Sequence, residues 1–99
     1  MSYGSRVAEY GIPLSFEQIA CTDTAVNPTV PVGAIGAVVS VDGISCRYRT
    51  DGTAATSSVG HLLADGQFIE LGAADLADLS VITSDDTGPA TVNITYYRS

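Results

Sequence analysis

The sequence predicts an all-β protein, an antiparallel β-sandwich of jelly-roll-like type with about seven or eight strands. Three Asp-Gly pairs, which begin at Asp42, Asp51 and Asp65, interrupt the chain at intervals typical of connections between strands. The runs between them are short and rich in Val, Ile, Thr and Tyr, which favour strands. The 99 residues suffice for one such domain, which we assign to residues 12–99, after an N-terminal arm over residues 1–11.

The clearest predicted element is a hairpin over residues 34–50, with Asp42-Gly43 as its two-residue loop. Apolar and polar residues alternate on both strands, which indicates that one face is buried. The predicted core pairs are Val41 with Ile44, Val39 with Cys46, and Ala37 with Tyr48.

A second hairpin is predicted over residues 61–71, around Asp65-Gly66. Both of its faces are apolar, so we expect this ribbon to be covered on both sides. The register also places His61 opposite Glu70, as a cross-strand pair on the surface. The apolar pairs are Leu62 with Ile69 and Leu63 with Phe68.

The remaining elements follow from shorter patterns. Pro13 indicates an edge position for a strand over residues 12–19, and alanine-rich residues 73–79 predict a short helical turn. Residues 21–32 contain two prolines and read as an extended loop, and residues 79–83 and 90–97 read as strands joined by a turn at 85–89. Ile12, Leu14 and Phe16 are predicted to share one side of their strand, and the expected core comprises Val39, Val41, Ile44, Cys46, Tyr48, Leu62, Ile69, Val92, Ile94 and Tyr96.

Charge and composition exclude several functions. The net charge is −7, and the four basic residues are all arginines. Nucleic acids and anionic membranes attract clustered positive charge, so we expect neither as a partner. The N-terminus has no signal-peptide pattern, which favours synthesis in a cytosol. In that setting Cys21 and Cys46 are expected to be free thiols, with a native disulfide as the less favoured alternative.

Catalytic and metal-binding patterns are weak. His61 is the single histidine, whereas zinc sites and most nucleophilic mechanisms need further partners for it. The aspartates at 75, 78, 85 and 86 lack calcium-loop spacing and suit turns and helix caps. Glu17 and Glu70 could form a carboxylate pair of the glycosidase type, but both read as solvent-facing strand positions. We therefore expect no enzymatic activity, no cofactor and no metal.

Arginine and tyrosine mark the candidate interface, since both are enriched at binding hot spots. Tyr3, Arg6 and Tyr10 are spaced along the arm, which we expect to become fixed against a neighbouring subunit. Arg47 and Arg49 flank Tyr48 beside an Asp-Gly pair. The alternative for these two arginines is an internal ion pair with Asp51 or another acid, with the side chain packed flat on the sheet.

The segment from Cys46 to Arg98 resembles a pattern found in small virion proteins of tailed bacteriophages. One block joins a Tyr-Arg pair to an Asp-Gly-Thr motif and spaced glycines, and a closing strand reads ATVNITYYR, residues 90–98. Where that family usually has proline after the Asp-Gly-Thr motif, this chain has Ala55. The matching residues are Tyr48, Arg49, Asp51, Gly52, Thr53, Thr56, Gly60, Leu63 and Gly66, followed by Ala90, Thr91, Val92, Asn93, Thr95, Tyr96 and Tyr97.

This resemblance implies a structural component of a phage virion, made in the host cytoplasm. A capsid decoration, or cement, protein that binds the lattice of the major capsid protein is the first expectation. A head–tail joining or tail component and a host- or carbohydrate-binding module are the alternatives. The expected partners are the major capsid protein, another virion protein, or further copies of the same chain.

Overall fold

Seven strands arranged in two antiparallel sheets form the protein in the computed structural model, which describes residues 11–84 and 89–99. The predicted β-sandwich is confirmed. One short helix, α1, follows the fifth strand. The elements are β1 (Ile12–Cys21), β2 (Gly36–Asp42), β3 (Cys46–Arg49), β4 (His61–Leu63), β5 (Phe68–Gly72), α1 (Ala73–Ala77), β6 (Ser80–Thr83) and β7 (Ala90–Arg98).

The larger sheet has the strand order β1-β7-β2-β5, and the smaller has the order β4-β3-β6. The C-terminal strand β7 therefore lies between β1 and β2. The predicted alternation in β7 is confirmed: Val92, Ile94 and Tyr96 are buried, while the residues between them are half-buried. This strand supplies the middle of the core because its inward side chains face those of the smaller sheet.

The core between the sheets contains most of the residues predicted for it. Val39, Val41 and Cys46 are buried, while Ile44, Tyr48 and Ile69 are half-buried and pack against the same cluster. The prediction for Leu62 is wrong, since that side chain is 55% exposed. The helical turn is confirmed, and the leucines beside it, Leu76 and Leu79, are each 1% exposed.

Both predicted hairpins are wrong in their strand pairing. β2 pairs with β5 and β7, whereas β3 pairs with β4 and β6, so Asp42-Gly43 connects the two sheets rather than two neighbouring strands. Asp65-Gly66 likewise connects β4 of the smaller sheet to β5 of the larger one. His61 therefore does not lie opposite Glu70; it lies opposite Tyr48.

The two Asp-Gly turns bind each other at one end of the sandwich. The Gly43 N–H donates to Asp65 Oδ1 at 3.0 Å, and the Gly66 N–H donates to the Val41 carbonyl at 2.8 Å. Both glycines have positive φ, +113° and +85° respectively, which residues with side chains rarely adopt. We predicted these glycines for tight hairpin turns. The same positive φ instead allows the chain to cross from one sheet to the other at each turn.

Strand β1 lies at an edge, as Pro13 predicts, but an irregularity interrupts the alternation of its side chains between the two faces of the sheet. The pairing with β7 shifts between Pro13 and Ser15, so that Leu14 is an extra residue. After this bulge Ile19 packs against the core, and Phe16 points to solvent with 60% of its surface exposed. The predicted shared side of Ile12, Leu14 and Phe16 is therefore wrong.

Candidate interaction surface

The outer face of the larger sheet carries exposed aromatic side chains. Register places Phe16, Thr95 and Val38 in one row across β1, β7 and β2. The adjoining row ends at Phe68 on β5, opposite Ser40. Since Val39, Ile94 and Tyr96 alternate with these residues and are buried, the two rows must face outward. The row of Phe16, Thr95 and Val38 ends at Glu70 on β5. We call this surface the aromatic face; it comprises Phe16, Gln18, Val38, Ser40, Phe68, Glu70, Asn93, Thr95 and Tyr97.

Both phenylalanines of the aromatic face are largely in contact with solvent. Phe16 is 60% and Phe68 53% exposed. They lie on the two outermost strands, which are roughly 14 Å apart at the usual strand spacing. Between them the Gln18 amide donates to Asn93 Oδ1 at 2.9 Å, so the polar centre is already hydrogen-bonded within the sheet. A surface with few charges and with aromatic groups at both margins is typical of protein interfaces.

The larger sheet also has a long open edge. β1 has ten residues and pairs with β7 alone among the strands that the structure describes. The smaller sheet is closed at β6 by the chain itself: Val26 and Val81 exchange two backbone hydrogen bonds of 2.9 Å, and Asn27 Nδ2 donates to the Leu79 carbonyl at 2.7 Å. An open edge can accept a further strand from a partner.

Arg47 makes hydrogen bonds within the chain. Its side chain points outward from the smaller sheet, where Nε donates to the Ser57 carbonyl at 3.2 Å and Nη1 to the Gly60 carbonyl at 3.0 Å. The Ala55 N–H donates to the Ser80 hydroxyl at 3.0 Å on the same outer face. The connection between β3 and β4, residues 50–60, therefore lies across this face, where Ser80 and Ile82 are 3% and 7% exposed.

Arg49 forms the ion pair with Asp51 that the sequence offered as the alternative to an interface. The hydrogen bond from Arg49, together with one from the Thr53 N–H, lowers the pKa of the Asp51 carboxyl. The Arg49 side chain is 26% and the Asp51 side chain 57% exposed, so water screens the pair and it contributes little to stability. The pair joins Arg49, at the end of β3, to Asp51 and so restrains the first residues of the 50–60 connection.

Several residues that carry the phage resemblance have local structural roles in this connection. The Thr56 hydroxyl accepts hydrogen bonds from the Val59 and Ser58 N–H groups, at 2.9 and 3.4 Å. Gly60 has a φ of +140°, and a Cβ built there would lie 3.0 Å from the Tyr48 carbonyl oxygen. Ala55, at the family's proline position, is 2% exposed. The motif thus fixes the cover of the smaller sheet and does not by itself locate a binding site.

His61 and Glu17 are placed differently from their predictions. The His61 ring lies against Tyr48, with ring centroids 5.3 Å apart. Glu17 is half-buried: Oε1 accepts a 2.7 Å hydrogen bond from the Tyr96 hydroxyl and a 3.1 Å bond from the Thr29 N–H. Burial, followed by the hydrogen bond to Glu17 and its negative charge, raises the pKa of Tyr96. Glu17 therefore connects the edge strand to the core rather than facing solvent.

One hollow in the surface lies beside the sequence-predicted arginines. A shallow hollow of about 350 Å³ beside the Arg49–Asp51 pair is lined by Val59, Gly60 and His61. Across residues 11–84 and 89–99, no three His, Cys, Asp or Glu side chains are grouped to hold a metal ion. Within those ranges, no helix has the length and hydropathy needed to cross a membrane.

The predicted interface residues are thus divided. Tyr3, Arg6 and Tyr10, with most of the arm, lie outside the described residues, as does most of the predicted 85–89 turn. Arg47 and Arg49 are bonded within the chain. The two phenylalanines of the aromatic face were not predicted to be interface residues. Alternation separates the two sides of a strand, but it shows which side faces outward only when the pairing of the strand is known. Pro13 was the available signal, since proline on an edge strand also marks sites of irregular pairing.

Comparison with known proteins identifies no relative: no family model, no curated protein and no solved structure matches this chain. Inferences about the surface therefore depend on the residues of this chain.

Proposed function

We propose that the protein is a structural component of a tailed-bacteriophage virion, a capsid decoration protein that binds the lattice of the major capsid protein. The observation that carries the proposal is the aromatic face: an exposed, nearly uncharged surface on a chain whose net charge is −7. The resemblance of residues 46–98 to small virion proteins supplies the class of partner. Repeated display over a lattice requires only modest affinity at each site.

Charge favours the aromatic face over the rest of the surface. Of the eight acidic residues that the structure describes, five lie in turns, connections or α1: Asp23, Asp51, Asp65, Asp75 and Asp78. Glu70, which lies opposite Val38 on β5, is the one carboxylate of the face. Docking through the face would bury aromatic area without removing many carboxylates from water, and that removal is costly for an unpaired charge.

A double substitution of the two phenylalanines tests the proposal. Phe16→Ser with Phe68→Ser removes the exposed aromatic area and leaves the core intact, so the melting temperature should change little. We expect wild-type protein to sediment with capsids that lack it, in hundreds of copies per particle, and the variant to lose at least tenfold in affinity. Leu62→Ser is the matched control, since Leu62 is 55% exposed on the smaller sheet.

Each other result counts against part of the proposal. Binding in a dozen copies or fewer would assign the protein to the head–tail connector or tail, which is the alternative function. Equal loss of binding for the Leu62 control would place the interface elsewhere. Failure of the wild-type protein to bind any virion particle would contradict the virion assignment.

A further inference from the structure

The two cysteines meet in the core although they belong to different sheets. Cys21 ends β1 of the larger sheet, and Cys46 begins β3 of the smaller one. Both are 0% exposed and belong to the same core cluster. Their thiols are free and close enough for each to shift the pKa of the other. Nothing in the sequence spacing indicates this proximity.

The backbone holds the two positions together independently of the sulfur atoms. Thr83 lies opposite Cys46 in the β3–β6 pair. The Thr83 N–H donates to the carbonyl of Thr22, the residue after Cys21, at 3.0 Å. The Cys46 thiol also lies 3.9 Å from the Ile44 carbonyl, which keeps its side chain directed into the core. The pair is thus fixed from both sheets at the same end of the sandwich.

We propose that Cys21 and Cys46 are a disulfide-forming pair, a covalent modification site that joins the two sheets. The oxidant is a small-molecule disulfide such as oxidised glutathione. One protein thiolate attacks it, breaks its S–S bond and releases one glutathione thiolate, leaving a mixed disulfide. The second protein thiolate attacks the protein sulfur of that mixed disulfide and releases the second glutathione. The protein loses two electrons and two protons, and the oxidant becomes two thiols.

Cys21 is the thiol suited to the first attack. It lies at the end of the edge strand, beside the exposed residues Thr22 and Asp23, so limited opening of the strand end exposes it. Cys46 is held between two strands and suits the second step.

The two cysteines would remain reduced thiols in a reducing cytosol and would form the disulfide in an oxidising medium. It would enclose the chain from Cys21 to Cys46, a loop long enough for cross-linking to restrict the unfolded chain substantially. This inference does not depend on the proposed function, since it concerns only contacts within the chain.

Refolding in a glutathione buffer tests the proposal directly. Protein purified with reductant should carry two thiols that iodoacetamide modifies in denaturant. After refolding from denaturant with oxidised glutathione, we expect a monomer lighter by two hydrogen atoms, with neither thiol modified. Its melting temperature should exceed that of the reduced protein by roughly 10 °C. Cys21→Ala and Cys46→Ala, treated identically, should show no such rise.

Two results would overturn the proposal. One is that both thiols remain open to alkylation, or carry only glutathione or intermolecular bonds, after refolding with the oxidant. The other is an internal disulfide that lowers the melting temperature, which would show that the native geometry does not accommodate the bond. Both readouts use the wild-type chain, so poor folding of an alanine variant does not affect them.

Discussion

The outer faces of the two sheets differ in what covers them. On the smaller sheet the 50–60 connection lies across the strands, and Arg47 fixes it through two carbonyl groups. On the larger sheet no connection among residues 11–84 and 89–99 lies across the corresponding surface, and Phe16 and Phe68 are more than half exposed. Residue type alone therefore does not mark an interface in this chain. Arg47, an interface candidate from the sequence, is bonded within the chain, while Phe16 and Phe68, which were not interface candidates, are exposed.

The largest expected effect comes from the core that both sheets share. Val41 is 2% exposed between them. Val41→Asp places an unpaired carboxylate there and should lower the free energy of unfolding by about 4 kcal/mol or more. Urea denaturation followed by circular dichroism measures this loss. Val32→Asp is the control, because Val32 is 100% exposed and its substitution should be nearly neutral. Similar losses for both variants would contradict the assigned core.

Removing the cover of the smaller sheet should have an intermediate effect. Arg47→Ala leaves the Ser57 and Gly60 carbonyls without their guanidinium donor and exposes the sheet beneath, so we expect a loss of about 2 kcal/mol in unfolding free energy. Limited proteolysis should also cut residues 50–60 faster. Arg49→Ala is the matched control and should cost clearly less, because its pair with Asp51 is solvent-exposed. Equal losses would show that Arg47 does not anchor the connection.

The smallest effect concerns pH and the open edge of the larger sheet. The pKa of Tyr96 is raised in the folded protein, above the value of about 10 for an unfolded chain. The folded state therefore holds this proton more tightly, so the stabilisation is fully present below pH 10 and is lost as pH rises above it.

Thermal melts between about pH 8 and 11 measure this loss. Tyr96→Phe should be less stable at neutral pH, because it removes the hydrogen bond to Glu17, and its stability should fall less steeply in alkali. An identical alkaline slope in both proteins would show that Tyr96 is not the titrating group.

Local sequence predicted side-chain burial better than strand pairing. Val39 and Cys46 are both buried as expected, although their strands lie in different sheets. Alternation determines which side chains point the same way along one strand, and this holds whatever the strand pairs with. An Asp-Gly pair predicts a backbone reversal with positive φ, and Gly43 has that conformation. The pair does not determine whether the next strand returns to the same sheet.

The fold class, the strands, the helical turn and most of the core follow from the sequence, because they depend on periodicity and local backbone preference. The partner of each strand depends instead on contacts between segments that are far apart in the chain. β7 displaces the expected hairpin by pairing with β2, and Tyr96 draws Glu17 inward across 79 positions of chain. The proximity of Cys21 to Cys46 and the exposure of the aromatic face also result from strand pairing. Each depends on which distant strands pair, and no local pattern of residues specifies that choice.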